Sequence, residues 1–356
     1  MQKGRGNFGR YKGMKKVVTL GEIMLRLSPE GRKRFLQVDR LDVNYGGSEA
    51  NVAVALCNMG CPAEFVTALP ENDLGRAAEN FVRSFGVSTA HCVKKQGRLG
   101  VYYLEKGAAQ RPSKVIYDRE GSVFSKAESA DFDFDEIFDG AGWFHFSGIT
   151  PALSPSAAEL TVKAVESAKK KGLTVSCDLN YRSALWSVEK ASKTLAPLLY
   201  QTDVLIANEN HLKMLFGIGE GGNLTCAESA AAAAEKFGLS QSVMTVRRTL
   251  SADDNNFSAV LYEKGRHFRS KKYRMHIVDR VGGGDSFAAG LIFGNVKGFS
   301  AQDTVEFAAA AGCLKHSVEG DAGIFTEREV LSLAVGLSDG RVQRVIWFWK
   351  RCFIRK

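Results

Sequence analysis

The sequence predicts an α/β fold: a mostly parallel sheet with helices on both faces, plus a small β-sheet lid. Three observations predict it. Short apolar runs alternate with segments of helical period along most of the chain. Runs such as Trp143–Phe146 and Val204–Ala207 have the length and composition of buried strands. Two stretches of mixed polarity, Arg34–Tyr45 and Gly100–Asp118, break the alternation. They read as lid strands over the C-terminal ends of the core strands, where open α/β sheets bind ligands.

Taken in order, Lys16–Leu27 reads as a first strand. Ser48–Met59 reads as a helix with Ser48 as N-cap and Gly60 as stop. Ala63–Leu69 is the next strand and Leu74–Phe85 the next helix. Ser154-Pro155 opens a helix that runs to Lys171, with Pro155 at the first helical position and Gly172 as stop. Leu173–Asp178, Val204–Ala207 and Val243–Val246 read as short buried strands, and Ala230–Ala234 as helix. Residues 14–344 therefore read as one α/β unit with the lid inserted, and 1–13 and 345–356 as extensions.

Composition narrows the function classes. The chain has 356 residues, 45% hydrophobic and 24% charged, which is ordinary for a globular protein. The net charge of +9 comes from the ends: residues 1–16 and 341–356 each hold six Lys or Arg and no acid. The remainder has 36 basic against 39 acidic residues, so no basic face for nucleic acid is expected. No apolar run is long enough to span a membrane. The ending VIWFWKRCFIRK would suit a membrane surface by composition, yet lacks any cap or period and reads as a tail or a last strand. Seven cysteines without a CxxC pair point to a reducing, cytoplasmic setting. The six histidines lack metal-ligand spacing, and His145, in a buried strand, reads as a core residue.

The strongest chemical signal is Asp279-Arg280-Val281-Gly282-Gly283-Gly284-Asp285-Ser286-Phe287. Three glycines let backbone N–H groups approach a ligand, and they lead into a helix N-terminus, which favours phosphate. Asp285 stands where loop meets helix. It could cap the helix or act as general base for a hydroxyl. A second signal is Gly46-Gly47-Ser48-Glu49-Ala50-Asn51: an ordinary glycine turn, or a close pass by a small polar substrate with Asn51 as donor and acceptor. The GxGxxG pattern at 217–222 follows a helix ending at Phe216 rather than a strand, so it is a loop. No GxxxxGK[ST] occurs, which excludes P-loop mechanics.

Together the two glycine segments resemble the paired signatures of the ribokinase-like (PfkB) carbohydrate kinases. The likeness covers about residues 14–344. Within the family it is strongest to 2-keto-3-deoxygluconate kinases, through VTLGEIMLRLSP (18–29), GGSEANVAVAL (46–56), YYLEKGAAQRPSKVIYDREGS (102–122), SGITPALSP (147–155), DLNYRSALW (178–186), DRVGGGDSF (279–287) and CLKHSVEGD (313–321). The resemblance implies ATP-dependent phosphorylation of 2-keto-3-deoxygluconate to its 6-phosphate, with Mg²⁺ on the ATP. It makes Asp285 the base and Gly282, Gly283 and Gly284 the anion hole. It maps Gly47, Asn51, Tyr102, Tyr117, Arg119 and Arg182 onto sugar contacts. Asn208, Arg247, Arg248, Thr249 and His316 fall on the nucleotide side.

Each assignment has a plainer reading: lid packing for the tyrosines, surface ion pairs for the arginines, core packing for His316. Paired N–H donors suit a carboxylate, so Arg119 and Arg182 favour an acidic sugar over fructose. One departure stands out. Many relatives have Asn-x-x-Glu where this chain has Asn208-Glu209-Asn210-His211. Glu209 is the residue available to substitute, and no metal ligand is assigned. His211 keeps open a catalytically silent sugar-binding protein. Exposed lid edges suggest pairing between subunits, a dimer or larger assembly.

Overall fold

A computed structural model describes residues 13–222 and 224–337. The extension 1–13 (except Gly13), the extension 345–356 and the expected end of the α/β unit at 344 lie outside the described residues. The strands are β1 Lys16–Leu20, β2 Met24–Ser28, β3 Asp42–Gly46, β4 Ala63–Val66, β5 Ala68–Pro70, β6 Val93–Lys95, β7 Gly100–Glu105 and β8 Lys114–Asp118. They continue with β9 Ala141–Ser147, β10 Thr174–Asp178, β11 Val204–Ala207, β12 Gln241–Thr249, β13 Asp254–Glu263, β14 Arg266–Arg269 and β15 Tyr273–His276.

Nine strands form the main sheet in the order β14-β13-β12-β11-β10-β9-β1-β4, with β15 also pairing β13. From β4 to β12 every neighbouring pair is parallel. Side chains alternate between its faces, as strand geometry requires. Val17 joins one apolar cluster with the helices Ser48–Met59, Gly283–Lys297 and Ala301–Lys315. Val18 joins another with the helices Pro155–Lys170, Val188–Leu199 and Cys226–Phe237. Fully buried Phe144, Phe146, Phe287 and Phe293 anchor these layers, each stabilising by about 1.5–3 kcal/mol. The helices 283–297 and 301–315 approach closely because Gly290 and Gly294 face Ala308 and Thr304, where a Cβ would crowd.

The lid is a four-stranded sheet, β3-β2-β7-β8. Its makeup departs from the expected one. The run 16–27 is two strands rather than one, and β2 belongs to the lid. Gly21 explains the break, because a Cβ there would collide with the buried Glu49 side chain and the chain leaves the main sheet as it passes over it. Of Arg34–Tyr45 only Asp42–Gly46 is strand; Phe35–Gln37 is a short 3₁₀ turn. Gly100–Asp118 is a hairpin of two strands. Gly47, not Ser48, is the N-cap of the helix 48–59. The parallel run also ends earlier than alternation suggested, since β12 extends to Thr249 and turns back into antiparallel β13 through the short segment 250–253.

His145 is fully buried, its Nδ1 2.8 Å from Ser176 Oγ, and burial pushes its pKa down to about 3. All six described cysteines are unpaired. Among the described residues no helix is long and apolar enough to cross a membrane.

Candidate active site

The glycine loop opens the helix Gly283–Lys297. Gly282 is its N-cap in the left-handed region (φ 81°), and a Cβ there would collide with the carbonyl of Asp321. At Gly283 a Cβ would collide with the His316 ring. Gly284, in contrast, has nothing within 4 Å of a Cβ position and is exposed. Ser286 N–H makes the first helical bond, to Gly282 O at 2.9 Å. The N–H groups ahead of it are the unsatisfied donors of a helix start, and they carry its positive end. The loop is thus backed by packing on one side and open on the other.

Asp285 does not cap the helix. Its Oδ1 accepts from Ser48 Oγ at 2.9 Å and its Oδ2 from Asn51 Nδ2 at 2.7 Å. The two glycine segments, 234 residues or more apart, meet through this carboxylate. Burial raises the Asp285 pKa, opposed by the bonds from Asn51 and Ser48. Gly47 lets the chain pass Glu22, whose carbonyl a Cβ would strike.

The lid side brings Arg119 to the buried Glu22. Arg119 Nε donates to Glu22 Oε2 at 2.9 Å and Nη2 donates to the same oxygen, while its guanidinium lies 5.8 Å from the Tyr117 ring centre. Nη1 has no partner among the described residues. Two expected sugar contacts look different in place. The hydroxyl of Tyr102 is buried and donates to Asp321, and Tyr117 is 53% exposed on the edge strand.

Arg182 follows β10 and is exposed without an ion pair among the described residues. Its charge bears on Asp178, Asp285, His211 and Arg247, so it stands at the junction of the two sides. Asp178, at the end of β10, is raised to about 7, first by burial and then by the charge of Asp285. Arg247 extends from β12 over the Phe257 ring at 5.8 Å; desolvation, then Arg280 and Arg182, hold its pKa below the usual value. Arg247, Arg248 and Thr249 are all exposed at the end of β12.

Asn208 caps the next helix, accepting from His211 N at 2.9 Å, and its Nδ2 lies 3.1 Å from His211 Nδ1. Glu209 lies toward Cys226, whose thiol pKa is raised first by burial and then by its bond to Glu209. His316 is 1% exposed beneath Gly283, bonded to Gly312 O at 2.7 Å. It supports the loop from below, packed under Gly283. Burial pushes it down to about 4, so it is neutral.

Sequence reasoning missed Glu22, Arg26, Asp178 and Asp321. Each lies in or beside one of the motif segments, but none shows its partner until the chain is folded.

Known proteins bear on the whole arrangement. Residues 14–327 match the model of the pfkB family of carbohydrate kinases. A 2-dehydro-3-deoxygalactonokinase of Haloferax volcanii is 33% identical across 88% of this chain and 95% of its own length. The crystal structure of 2-dehydro-3-deoxygluconokinase from Thermotoga maritima superposes with a TM-score of 0.89 at 48% identity, covering 92% of this chain and all of that one. A putative ribokinase II from Escherichia coli, solved with ATP and Mg²⁺, shares the fold at 20% identity and a TM-score of 0.78, covering 91% of this chain and all of its own. The fold is ribokinase-like, and the chain belongs to the pfkB family of carbohydrate kinases.

Proposed function

We propose that this kinase transfers the γ-phosphoryl group of ATP to the C6 hydroxyl of 2-keto-3-deoxygluconate. The observation that carries this reading is Asp285, held by Ser48 and Asn51 at the start of the glycine-loop helix instead of capping that helix. A carboxylate so held is aimed away from its own helix and is free to take a proton from an attacking hydroxyl. The amides of Gly282–Gly284 and the helix dipole would stabilise charge on the transferring phosphoryl group.

On the sugar side, Gly47 and Asn51 border the space beside Asp285, and Arg119 is oriented by Glu22 with Nη1 left to donate. Arg182 supplies a second cation toward a carboxylate. Tyr102 and Tyr117 would contribute ring surface, their centres 6.0 Å apart. On the nucleotide side Asn208, Arg247, Arg248 and Thr249 line the ends of neighbouring strands, and three arginines, 182, 247 and 280, bear on that region. That charge suits a triphosphate. Among the described residues no cluster of three or more acids, histidines or cysteines could hold a metal by itself. Magnesium fits as a passenger on the ATP phosphates, where it neutralises charge.

The relative named for the gluconate acid is 48% identical and the one named for the galactonate acid 33%, which favours the former; the two acids differ only in configuration at C4. The paired arginines disfavour a neutral sugar such as fructose, and the intact Asp285 arrangement disfavours a silent binding protein. The α/β unit 14–344 with its inserted lid is read as one catalytic body, in a reducing, cytoplasmic setting. The outer lid face carries an aligned apolar row, Val43, Leu27, Tyr103 and Ile116, which supports pairing of two subunits through their lids. Phosphorus NMR of the product tests the reaction. A phosphomonoester coupled to two methylene protons is expected; a product phosphorylated on a secondary hydroxyl would contradict it.

A further inference from the structure

Beneath the site a buried cluster joins the lid to the segment that leads into the glycine loop. Arg26, on lid strand β2, is 2% exposed. Its Nη2 donates to Asp279 Oδ2 at 2.6 Å and its Nη1 to Asp321 Oδ1 at 2.5 Å. Asp279 begins the loop segment and accepts through Oδ1 from Val281 N at 3.2 Å, and through Oδ2 from Gly320 N at 3.2 Å. Asp321 accepts from the hydroxyl of Tyr102 on lid strand β7. Two glycines are required by this wedge. A Cβ at Gly46, on lid strand β3, would strike Asp321 Oδ2, and one at Gly282 would strike the Asp321 carbonyl. Lys315, fully buried, donates to Val318 O at 3.0 Å and lies within reach of the charges of Asp279, Asp321 and Arg26. Lys106 approaches Asp279 at 3.6 Å.

Buried ion pairs are weak evidence for stability, because desolvation offsets the attraction, and apolar residues often do as well. What this cluster provides is geometry. Three of the four lid strands touch it, and its other members are the residues on which the glycine loop rests. One guanidinium bridges two carboxylates in a fixed fork, so lid and loop cannot shift independently without leaving a buried charge unpaired.

We propose that Arg26 is a positioning residue for phosphoryl transfer: it locks the base of the lid to the glycine loop, so that a sugar under the lid and phosphates at the loop meet in one alignment. This rests on the reading of Gly282–Gly284 as the phosphate site. Arg26→Lys keeps the charge but loses the fork that bridges both carboxylates. Misalignment of this kind costs on the order of 10²-fold in turnover, and the KM for the sugar should hold, because the lid's own contacts remain.

Hydrogen exchange with a non-hydrolysable ATP analogue and Mg²⁺, without any sugar, gives the direct readout. In the parent protein, exchange should slow both at 279–286 and in lid strands β2 and β7. In Arg26→Lys the loop protection should persist while the added lid protection falls by roughly fivefold or more, the low end of coupling between sites. Should that variant fail to fold, Asp321→Asn keeps the shape and carries the same expectation. Lid protection and turnover unchanged in the variant would overturn the proposal. No loop protection in the parent protein would contradict the phosphate reading itself, and the proposal with it.

Discussion

The two sides of the site differ in how their charges are met. On the lid side the charged and polar groups already have protein partners: Arg119 with Glu22, Tyr102 with Asp321, Arg26 with Asp279 and Asp321. Arg182 at the junction, and Arg247 and Arg248 on the proposed nucleotide side, have no carboxylate partner among the described residues, and Arg280 donates only to the carbonyls of Ser251 and Ala252. One half is set in advance to a shape. The other is left electropositive, which suits the polyphosphate proposed to bind there. A preorganised half gives selectivity among similar sugars, whereas an unpaired basic half gives affinity for any triphosphate.

Asp285 lies where the halves meet, and removing its charge should have the largest effect. Asp285→Asn is expected to lower turnover by roughly 10²–10⁴-fold, the usual share of a general base. Nucleotide affinity and melting temperature should hold, because asparagine can still accept from Ser48. Near-normal turnover would reduce Asp285 to a tie between the two glycine segments.

The arginines come next. Arg119→Leu and Arg182→Leu should each lower the specificity constant for the sugar acid by about ten- to a hundredfold, since a charge-assisted hydrogen bond contributes about 1.5–3 kcal/mol. Residual activity on a neutral sugar should change little. Arg182 is the sharper case, because it stands within reach of both halves: equal losses for acid and neutral substrates would assign it to the phosphates. Arg247→Ala is expected to raise the KM for ATP by about tenfold, the scale of one charge-assisted bond, while the KM for the sugar stays put. A change confined to the sugar would erase the distinction between the halves.

The smallest effect is on pH dependence of stability. The pKa of Asp178 is raised in the folded state to about 7, well above the usual carboxylate range, chiefly by burial. Between those values the native protein holds a proton that the unfolded chain has lost. Stability therefore falls as pH rises toward 7 and stays lower above it. Asp178→Asn removes this slope, so its melting temperature should fall less than the parent's between pH 5.5 and pH 8. Identical falls in both proteins would show that Asp178 does not titrate there.

Much of this was legible in the residues. The buried strands at 143–146 and 204–207 and the helix opened by Ser154 and Pro155 follow from local composition, and they appear as read. So does the glycine loop running into a helix, because backbone freedom and helix starts are local properties. The lid was harder. β2 reads as a continuation of β1, since the break at Gly21 is imposed by Glu49, which lies 28 positions further on. The β12–β13 turn was hidden in the stretch 250–253, which suits a loop equally well. Partner choice was least legible of all. Nothing near Arg26 in sequence announces Asp279 or Asp321, and nothing near Tyr102 announces that its hydroxyl goes to Asp321.

Selection of a sugar acid by the paired lid side can be read from a single assay. ADP release by the purified protein would be followed with 2-keto-3-deoxygluconate, its C4 epimer, fructose and ribose, and specificity constants compared. The highest value is expected for 2-keto-3-deoxygluconate, with the epimer next and both neutral sugars at least about tenfold lower, the discrimination that follows from losing one charge-assisted bond. A neutral sugar equal to or better than either acid would contradict it.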